Sequence, residues 1–136
     1  MKRMTFKVRS LWPSICTVSL LFGSVVLSGC GTPAETAPIA RVPGGDPGRG
    51  ATAIGKYGCG SCHTIPGIDG ANANVGPPLS RMGTREYIAG KLRNSPANLE
   101  YWIRDPQQVW PGVDMPDLHV TPADARDIAA YLYTLH

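Results

Sequence analysis

The stretch Tyr57–Gly67, "YGCGSCHTIPG", places two cysteines three positions apart and a histidine directly after the second. Two thiols and an imidazole in this order can serve a covalent haem attachment, a dithiol redox pair or part of a zinc site. A thioredoxin-like pair follows a strand, whereas a helical pattern precedes this motif. A zinc site needs further ligands, usually a second pair, and His119 and His136 are single histidines.

The motif Cys59-Gly60-Ser61-Cys62-His63 matches C-x-x-C-H, the attachment pattern of a c-type haem. Thiols at this spacing can add to the two vinyl groups along one edge of the porphyrin. The next residue, His63, can then turn its imidazole under the ring and reach the iron. The motif therefore predicts one covalently bound haem, with His63 as an iron ligand.

A six-coordinate haem needs a ligand on its other face, and Met115 is the candidate that its local sequence favours. Met115 lies in "WPGVDMPDL", where Pro111-Gly112 turns the chain and Pro116 restricts Met115 to extended geometry. The alternative use of Met115 is as a filler of the core. The remaining candidates are Met82, His119 and His136, of which His119 is the second choice.

The N-terminal segment has the order of an export signal. Residues 1–10 carry four basic residues and no acid, and an apolar run from Leu11 to Leu27 follows. The sequence "LSGC" that ends at Cys30 resembles the lipobox of bacterial lipoproteins, which are cut before a cysteine that carries lipid. We expect a signal peptide at 1–29 and lipid on Cys30. The alternative, a permanent membrane anchor, is disfavoured because the run is shorter than about 20 apolar residues.

The charge of the chain changes once this signal is set aside. Four of the 13 basic residues lie in the signal, so the chain from Cys30 onward has nine basic and ten acidic residues, a net charge of −1. We therefore expect no nucleic-acid partner. Residues 31–45 are dominated by Pro, Ala and Gly, so the predicted tether comprises residues 30–45 and the predicted folded domain residues 46–136.

The folded part predicts an all-α domain with about four helices and no strand. Helix signals, such as a capping side chain before a proline or apolar residues three and four apart, occur at 46–58, 84–92, 95–105 and from Thr121 onward. Residues 64–83 and 105–120 are long connections without periodicity, which is typical of a chain that wraps something. A domain of about 90 residues has few apolar side chains for a core of its own, which also indicates a large apolar body at the centre.

Four stretches together resemble a class I cytochrome c, and they follow the order and spacing of that family from about Asp46 to the end. They are "YGCGSCHTI", "VGPPL", "NLEYWIRDPQQVWPGVDMP" and "DARDIAAYLYTL". The sequence is similar in particular to the cytochrome c domain fused to the copper-bearing subunit II of some bacterial haem–copper oxidases. The resemblance implies a class I cytochrome c fold with one haem c.

The resemblance also implies roles for individual residues. Cys59 and Cys62 would form the thioethers, and His63 and Met115 would be the axial ligands. The carbonyl of Pro77 would accept the ring N–H of His63. The implied pocket residues are Leu79, Leu99, Trp102 and Ile103, and the candidate partners of the haem propionates are Arg81, Arg85, Tyr87 and Trp102.

The same likeness implies a crossing of the first and last helices, near Gly50 and Ile54 on one side and Ile128 and Tyr131 on the other. Gly55 departs from the family pattern, which often has an aromatic residue at that place.

The expected function is transfer of single electrons by a monomer, without enzymatic turnover. The expected acceptor is a terminal oxidase, and the donor is a quinol–cytochrome c reductase or a periplasmic dehydrogenase. The lipid would hold the protein at the periplasmic face of a bacterial membrane. The alternatives are a haem sensor or small peroxidase with a labile sixth ligand, and a fixed haem subunit of a larger redox enzyme.

A locally basic segment bears on the partners. It contains Arg81, Arg85, Lys91 and Arg93 against the single acid Glu86. This segment could steer docking to an acidic partner, or it could be an ordinary solvated face.

Overall fold

The computed structural model describes residues 41–136. The predicted signal peptide, the lipidation site at Cys30 and most of the predicted tether lie outside these residues. Within residues 41–136, no helix has both the length and the hydropathy of a membrane span.

Four helices form the described domain, which confirms the predicted all-α architecture. Three of them begin in the same way, because Asp46, Ser95 and Thr121 each accept a hydrogen bond from a backbone N–H three residues later. A proline in the first turn follows each cap and fixes its φ for the helix. The helices are α1 (Pro47–Lys56), α2 (Pro96–Arg104), α3 (Pro106–Val109) and α4 (Pro122–Leu132).

The prediction of a helix at residues 84–92 is wrong, and so is the prediction that the domain has no strand. A 3₁₀ turn at Met82–Thr84 is followed by two antiparallel strands, β1 (Tyr87–Ile88) and β2 (Leu92–Arg93). Ala89 and Gly90 between them have φ values of 49° and 67°, which a right-handed helix does not allow. The turn lets Ile88 enter the core, where it is buried.

The fourth helix lies at α3 instead, in a segment predicted to be a connection. Asp105-Pro106 ends α2 as predicted, but Pro106 is also the first residue of α3. Proline is favourable in the first turn of a helix, because its missing N–H would have no partner there. One dipeptide therefore both ends a helix and begins the next.

The most extensive helix–helix contact of the described residues joins α1 to α4, at the crossing that the family resemblance implied. Gly50 allows the close approach, because a Cβ at that position would overlap the carbonyl oxygen of Asp127 and lie 3.0 Å from Tyr131 Cβ. Ile54 on α1 and Ile128 on α4 are both buried, with 1% and 2% of their surface exposed.

A buried carboxylate on α4 is hydrogen-bonded to the first turn of α1 at this crossing. Asp127 accepts hydrogen bonds from the backbone N–H of Asp46 at 2.8 Å and from Arg49 Nε and Nη2 at 2.6 and 2.9 Å. The hydrogen bonds from Arg49 lower the pKa of Asp127, although its burial acts in the opposite direction. Since Asp46 N–H and Arg49 donate three hydrogen bonds to it, the carboxylate is stable in a position that would otherwise disfavour a charge.

The inner face of α4 is apolar. Ala125, Ile128, Ala129 and Leu132 are buried. Leu135 lies past the end of the helix and is half-buried against the core. The helices and loops together form the walls of a central cavity.

Candidate haem-binding site

A cavity of about 550 Å³ lies at the centre of the domain. Its volume is within the range of roughly 300–1,000 Å³ that is usual for cofactor and ligand sites. The residues expected as thioether attachment sites, axial ligands and pocket residues all line this one cavity. These residues are Cys59, Cys62, His63, Pro77, Leu79, Leu99, Trp102, Ile103 and Met115.

The two cysteines follow the end of α1 directly. Gly58 has φ 67° and turns the chain out of the helix into a 3₁₀ turn at Cys59–Ser61. Both cysteines are free thiols and half-buried, and both face the cavity. Burial raises the pKa of the Cys59 thiol, so this sulfur is held in its neutral form. Two reduced thiols on one wall fit the double addition that a haem attachment requires.

The imidazole of His63 is oriented by the loop that follows it. Its Nδ1 lies 2.7 Å from the carbonyl oxygen of Pro77, and this carbonyl can only accept, so Nδ1 carries the proton and donates. The other nitrogen, Nε2, is then left with a lone pair, which is the form that binds a metal. The structure thus contains the contact between His63 and Pro77 that the family resemblance implied.

A glycine makes room for this imidazole. A Cβ at Gly76 would lie 2.5 Å from His63 Cε1 and 2.8 Å from Nδ1, closer than real Cβ atoms approach. The backbone N–H of Gly76 also donates to the carbonyl of Cys62 at 2.8 Å, which ties this loop to the cysteine motif. The histidine ring therefore lies in a cradle that a larger residue would fill.

Of the four candidates for the second axial ligand, two methionines line the cavity and two histidines do not. The His119 side chain is 90% exposed, and His136 is exposed as well. Met82 is only 5% exposed and is therefore already covered by protein atoms, whereas Met115 keeps more accessible surface toward the cavity. A sulfur that binds a cofactor needs such a surface, which favours Met115 over Met82.

The remaining wall of the cavity is apolar, and sequence reasoning named few of its members. Leu118 and Val120 both face the cavity, and His119 between them has a left-handed conformation, with φ 53°. No periodic signal in the sequence marks this pair. Other large apolar residues of the wall include Ile54, Tyr57, Ile65, Val75, Met82, Ile88, Trp110, Val113, Ile128 and Leu132.

Two of the four candidate propionate partners, Arg85 and Trp102, reach the cavity. Arg85 donates from Nη2 to the carbonyl oxygens of Pro78 and Ser80, so it also supports the loop that holds His63. Arg81 and Tyr87 do not line the cavity.

These features fit a haem on physical grounds, because apolar walls, two thiols, an oriented imidazole and a thioether meet in one cavity. The fold and the site define a small helical haem protein. Residues 48–136 match the family model described as Cytochrome c, so the chain belongs to the cytochrome c family. The family resemblance and the class I cytochrome c fold predicted from the sequence are thereby confirmed. Membership identifies the domain as a haem-binding electron carrier.

The relatives found by sequence are oxidase subunits. The chain is 38% identical over 88 residues to the cytochrome c oxidase subunit 2 of Alkalihalophilus pseudofirmus, across 64% of this chain and 25% of that protein. It is 33% identical over 107 residues to the cytochrome c oxidase subunit 2 of Bacillus sp. strain PS3, across 76% and 28%. The corresponding protein of Bacillus subtilis is 30% identical over 77 residues, across 55% and 22%. The matched region thus spans about a quarter of the length of each relative.

Proposed function

We propose that this protein transfers single electrons through one haem c bound in the central cavity. Cys59 and Cys62 would hold the haem by thioether bonds, and His63 and Met115 would be its axial ligands. The observation that carries the proposal is that the Cys59–His63 segment and the distant loop of Met115 face one apolar cavity. When bound, the haem supplies a couple of ferrous and ferric iron that exchanges one electron.

The side chains of the cavity would set the properties of this couple. The carbonyl of Pro77 holds the His63 imidazole in one tautomer and makes it a stronger ligand. The thioether of Met115 favours the ferrous state compared with a second nitrogen ligand. The apolar walls act in the same direction, because an environment that excludes water disfavours the additional charge of the ferric state.

Two protein ligands would leave no open position for oxygen or peroxide, which argues for a carrier and against a sensor or peroxidase with a labile sixth ligand. Carbon monoxide tests this point, because it binds ferrous haem only where a position is free or easily vacated. We expect the spectrum of the reduced protein to change little under carbon monoxide at neutral pH. A rapid and complete shift would support the sensor or peroxidase instead.

A terminal cytochrome c oxidase is the proposed electron acceptor. The support is the similarity to proteins named cytochrome c oxidase subunit 2, in which a comparable region is part of the oxidase polypeptide. A quinol–cytochrome c reductase or a periplasmic dehydrogenase would be the donor. Contacts with such partners are brief and small, as is usual for redox encounters.

The proposed location is the periplasmic face of a bacterial membrane. A signal peptide at 1–29, lipid on Cys30 and a tether at 30–45 would let the domain move along the surface while it remains attached. Replacement of Cys30 by serine should abolish incorporation of a labelled fatty acid into the protein. Equal labelling of that variant and wild type would contradict the lipid anchor.

Oxygen uptake by oxidase-containing membranes tests the carrier function. The purified protein, reduced beforehand, should stimulate uptake in proportion to its concentration. A Cys59→Ala/Cys62→Ala double variant is the control, because it lacks both sites of attachment. Oxygen uptake that is the same with and without the protein would refute delivery to the oxidase.

A second candidate, a fixed subunit of an oxidase, is favoured by the same relatives. Purification in mild detergent separates the two cases. A fixed subunit should remain with the oxidase in a constant ratio through several columns, whereas a carrier should separate from it at moderate salt.

A further inference from the structure

Gln107 is connected by its side chain to the loop that carries Met115. Its Nε2 donates to the carbonyl oxygens of Val113 and Met115, at 2.7 and 2.9 Å. Its Oε1 accepts a hydrogen bond from the backbone N–H of Gly112 at 3.1 Å. Both protons of the amide group and its oxygen are thus used on one loop.

This loop has little other internal bonding. Within residues 110–116, all of which the structure describes, a single backbone–backbone hydrogen bond joins two members, from Val113 N–H to the Trp110 carbonyl at 3.1 Å. Pro111 and Pro116 have no N–H to contribute. The side chain of Gln107 therefore makes three hydrogen bonds where the loop itself makes one.

The carbonyl of Met115 is the most informative of the three contacts. It belongs to the peptide bond with Pro116, which has no N–H to anchor that peptide from its other side. The hydrogen bond from Gln107 fixes the plane of this peptide, and the direction of the Met115 side chain depends on that plane. The amide orientation is itself defined, because two carbonyls require its donors and one N–H requires its acceptor.

We propose that Gln107 is a positioning residue for the methionine ligand: it holds the Met115 loop so that the thioether stays directed into the cavity. This inference rests on the proposed role of Met115 as an axial ligand. Gln107 touches neither His63 nor the cysteines and does not line the cavity, so it would act through the loop alone.

Added imidazole measures how firmly the methionine is held, because it competes for the same iron position in the oxidised holoprotein. Two of the three hydrogen bonds of Gln107 are partly buried and the third is exposed, so their loss leaves backbone groups of the loop incompletely paired. If the loss falls on the ligated state, Gln107→Leu should bind imidazole about tenfold more tightly or better, since 1.4 kcal/mol is a factor of ten. The weak absorption band of the methionine–iron bond should decrease in the same variant.

Two further variants separate positioning from general stability. Gln108→Leu is the matched control, because Gln108 is the exposed neighbour on α3 and its side chain makes no hydrogen bond within residues 41–136. Arg49→Met weakens the α1–α4 contact away from the loop, so it should reduce the unfolding free energy and leave imidazole affinity unchanged. A purely structural role of Gln107 would make its variant behave like Arg49→Met.

Gln107→Glu keeps the size of the side chain and removes its donors. The carboxylate would face two carbonyl oxygens, so we expect imidazole affinity to increase at least as much as in Gln107→Leu. This variant also provides the comparison if the leucine variant does not accumulate in folded form.

The results distinguish failure of this inference from failure of the ligand assignment. If Met115→Ala abolishes the band while both Gln107 variants bind imidazole within twofold of Gln108→Leu, the role of Gln107 is refuted and Met115 remains the ligand. If wild type lacks the band and Met115→Ala binds imidazole no more tightly, the ligand assignment is wrong and the inference is refuted with it. The expected result is that imidazole affinity increases about tenfold in both Gln107 variants and in neither Gln108→Leu nor Arg49→Met, while wild type shows the methionine–iron band.

Discussion

Replacement of Gly50 by alanine should destabilise the domain, whereas the same replacement at Gly55 should stabilise it. Both glycines lie in α1, so both variants gain the helix preference of alanine, about 0.5–1 kcal/mol. They differ in what the new methyl group meets. At Gly50 it would lie 2.7 Å from the carbonyl carbon of Asp127, and at Gly55 it meets nothing within 4 Å.

The magnitude follows from the rigidity of the obstacle. Asp127 meets the new methyl group with backbone atoms of α4, so no side-chain rotation relieves the contact and the helices must separate by most of an ångström. Overpacking of this kind costs about 1–3 kcal/mol, and a backbone obstacle belongs at the upper end. After subtraction of the helix gain, Gly50→Ala should lose about 2 kcal/mol of unfolding free energy. Gly55→Ala should gain about 0.5–1 kcal/mol.

Urea unfolding of the holoprotein, followed by far-UV circular dichroism, measures this difference. A gap of nearly 3 kcal/mol corresponds to a separation of the two midpoints by about 1 M or more. The slopes of the two transitions should agree, because both variants expose the same surface on unfolding. Equal midpoints for the two variants would refute the close crossing of α1 and α4 at Gly50, and with it the placement of Ile54 and Ile128 on the wall of the cavity.

Two other changes have defined outcomes. Gly76→Ala should reduce the fraction of exported chains that carry haem, because its methyl would lie 2.5 Å from His63 Cε1; incorporation equal to wild type, measured by haem per protein, would contradict the cradle. Asp124→Asn should weaken the acid sensitivity of the fold, since hydrogen bonds from Lys56 and Tyr57 lower the pKa of Asp124 to about 2. A lowered carboxyl pKa gives stability that is complete above the unfolded value of about 3.9 and is lost as the pH falls through the folded value. The stability advantage of wild type over Asp124→Asn should therefore shrink from about pH 4 to pH 2, and a constant difference in urea midpoint would count against it.

The helices that the sequence predicts are those whose first residues carry a capping signal. Asp46, Ser95 and Thr121 are short polar side chains directly before a proline, and each cap was predicted and is present in the structure. The hairpin could not be recognised in this way. Its turn depends on left-handed conformations at Ala89 and Gly90, and alanine gives no sign that it will adopt one.

The chemistry of the side chains predicts the candidate attachment and ligand residues of the site. It does not predict the residues that hold them in position. The spacing of Cys59, Cys62 and His63 and the local sequence around Met115 are sufficient to name these four residues, but most of the apolar wall carries no such signal. Gln107 lies on a helix of four residues, too short for a periodic pattern, and its amide acts on a loop five to eight residues later. Leu118 and Val120 lie in a connection without periodicity, so no pattern marks them as members of the wall.

The mass of the exported protein under denaturing conditions, together with the absorption spectrum of its reduced form, tests the central claim most directly. One haem should remain attached to each chain, with the sharp bands of a c-type haem. Both signals should be lost in the Cys59→Ala/Cys62→Ala variant. A folded, exported protein whose mass equals that of the polypeptide alone and which absorbs no visible light would contradict the claim that this cavity is built around a covalently bound haem.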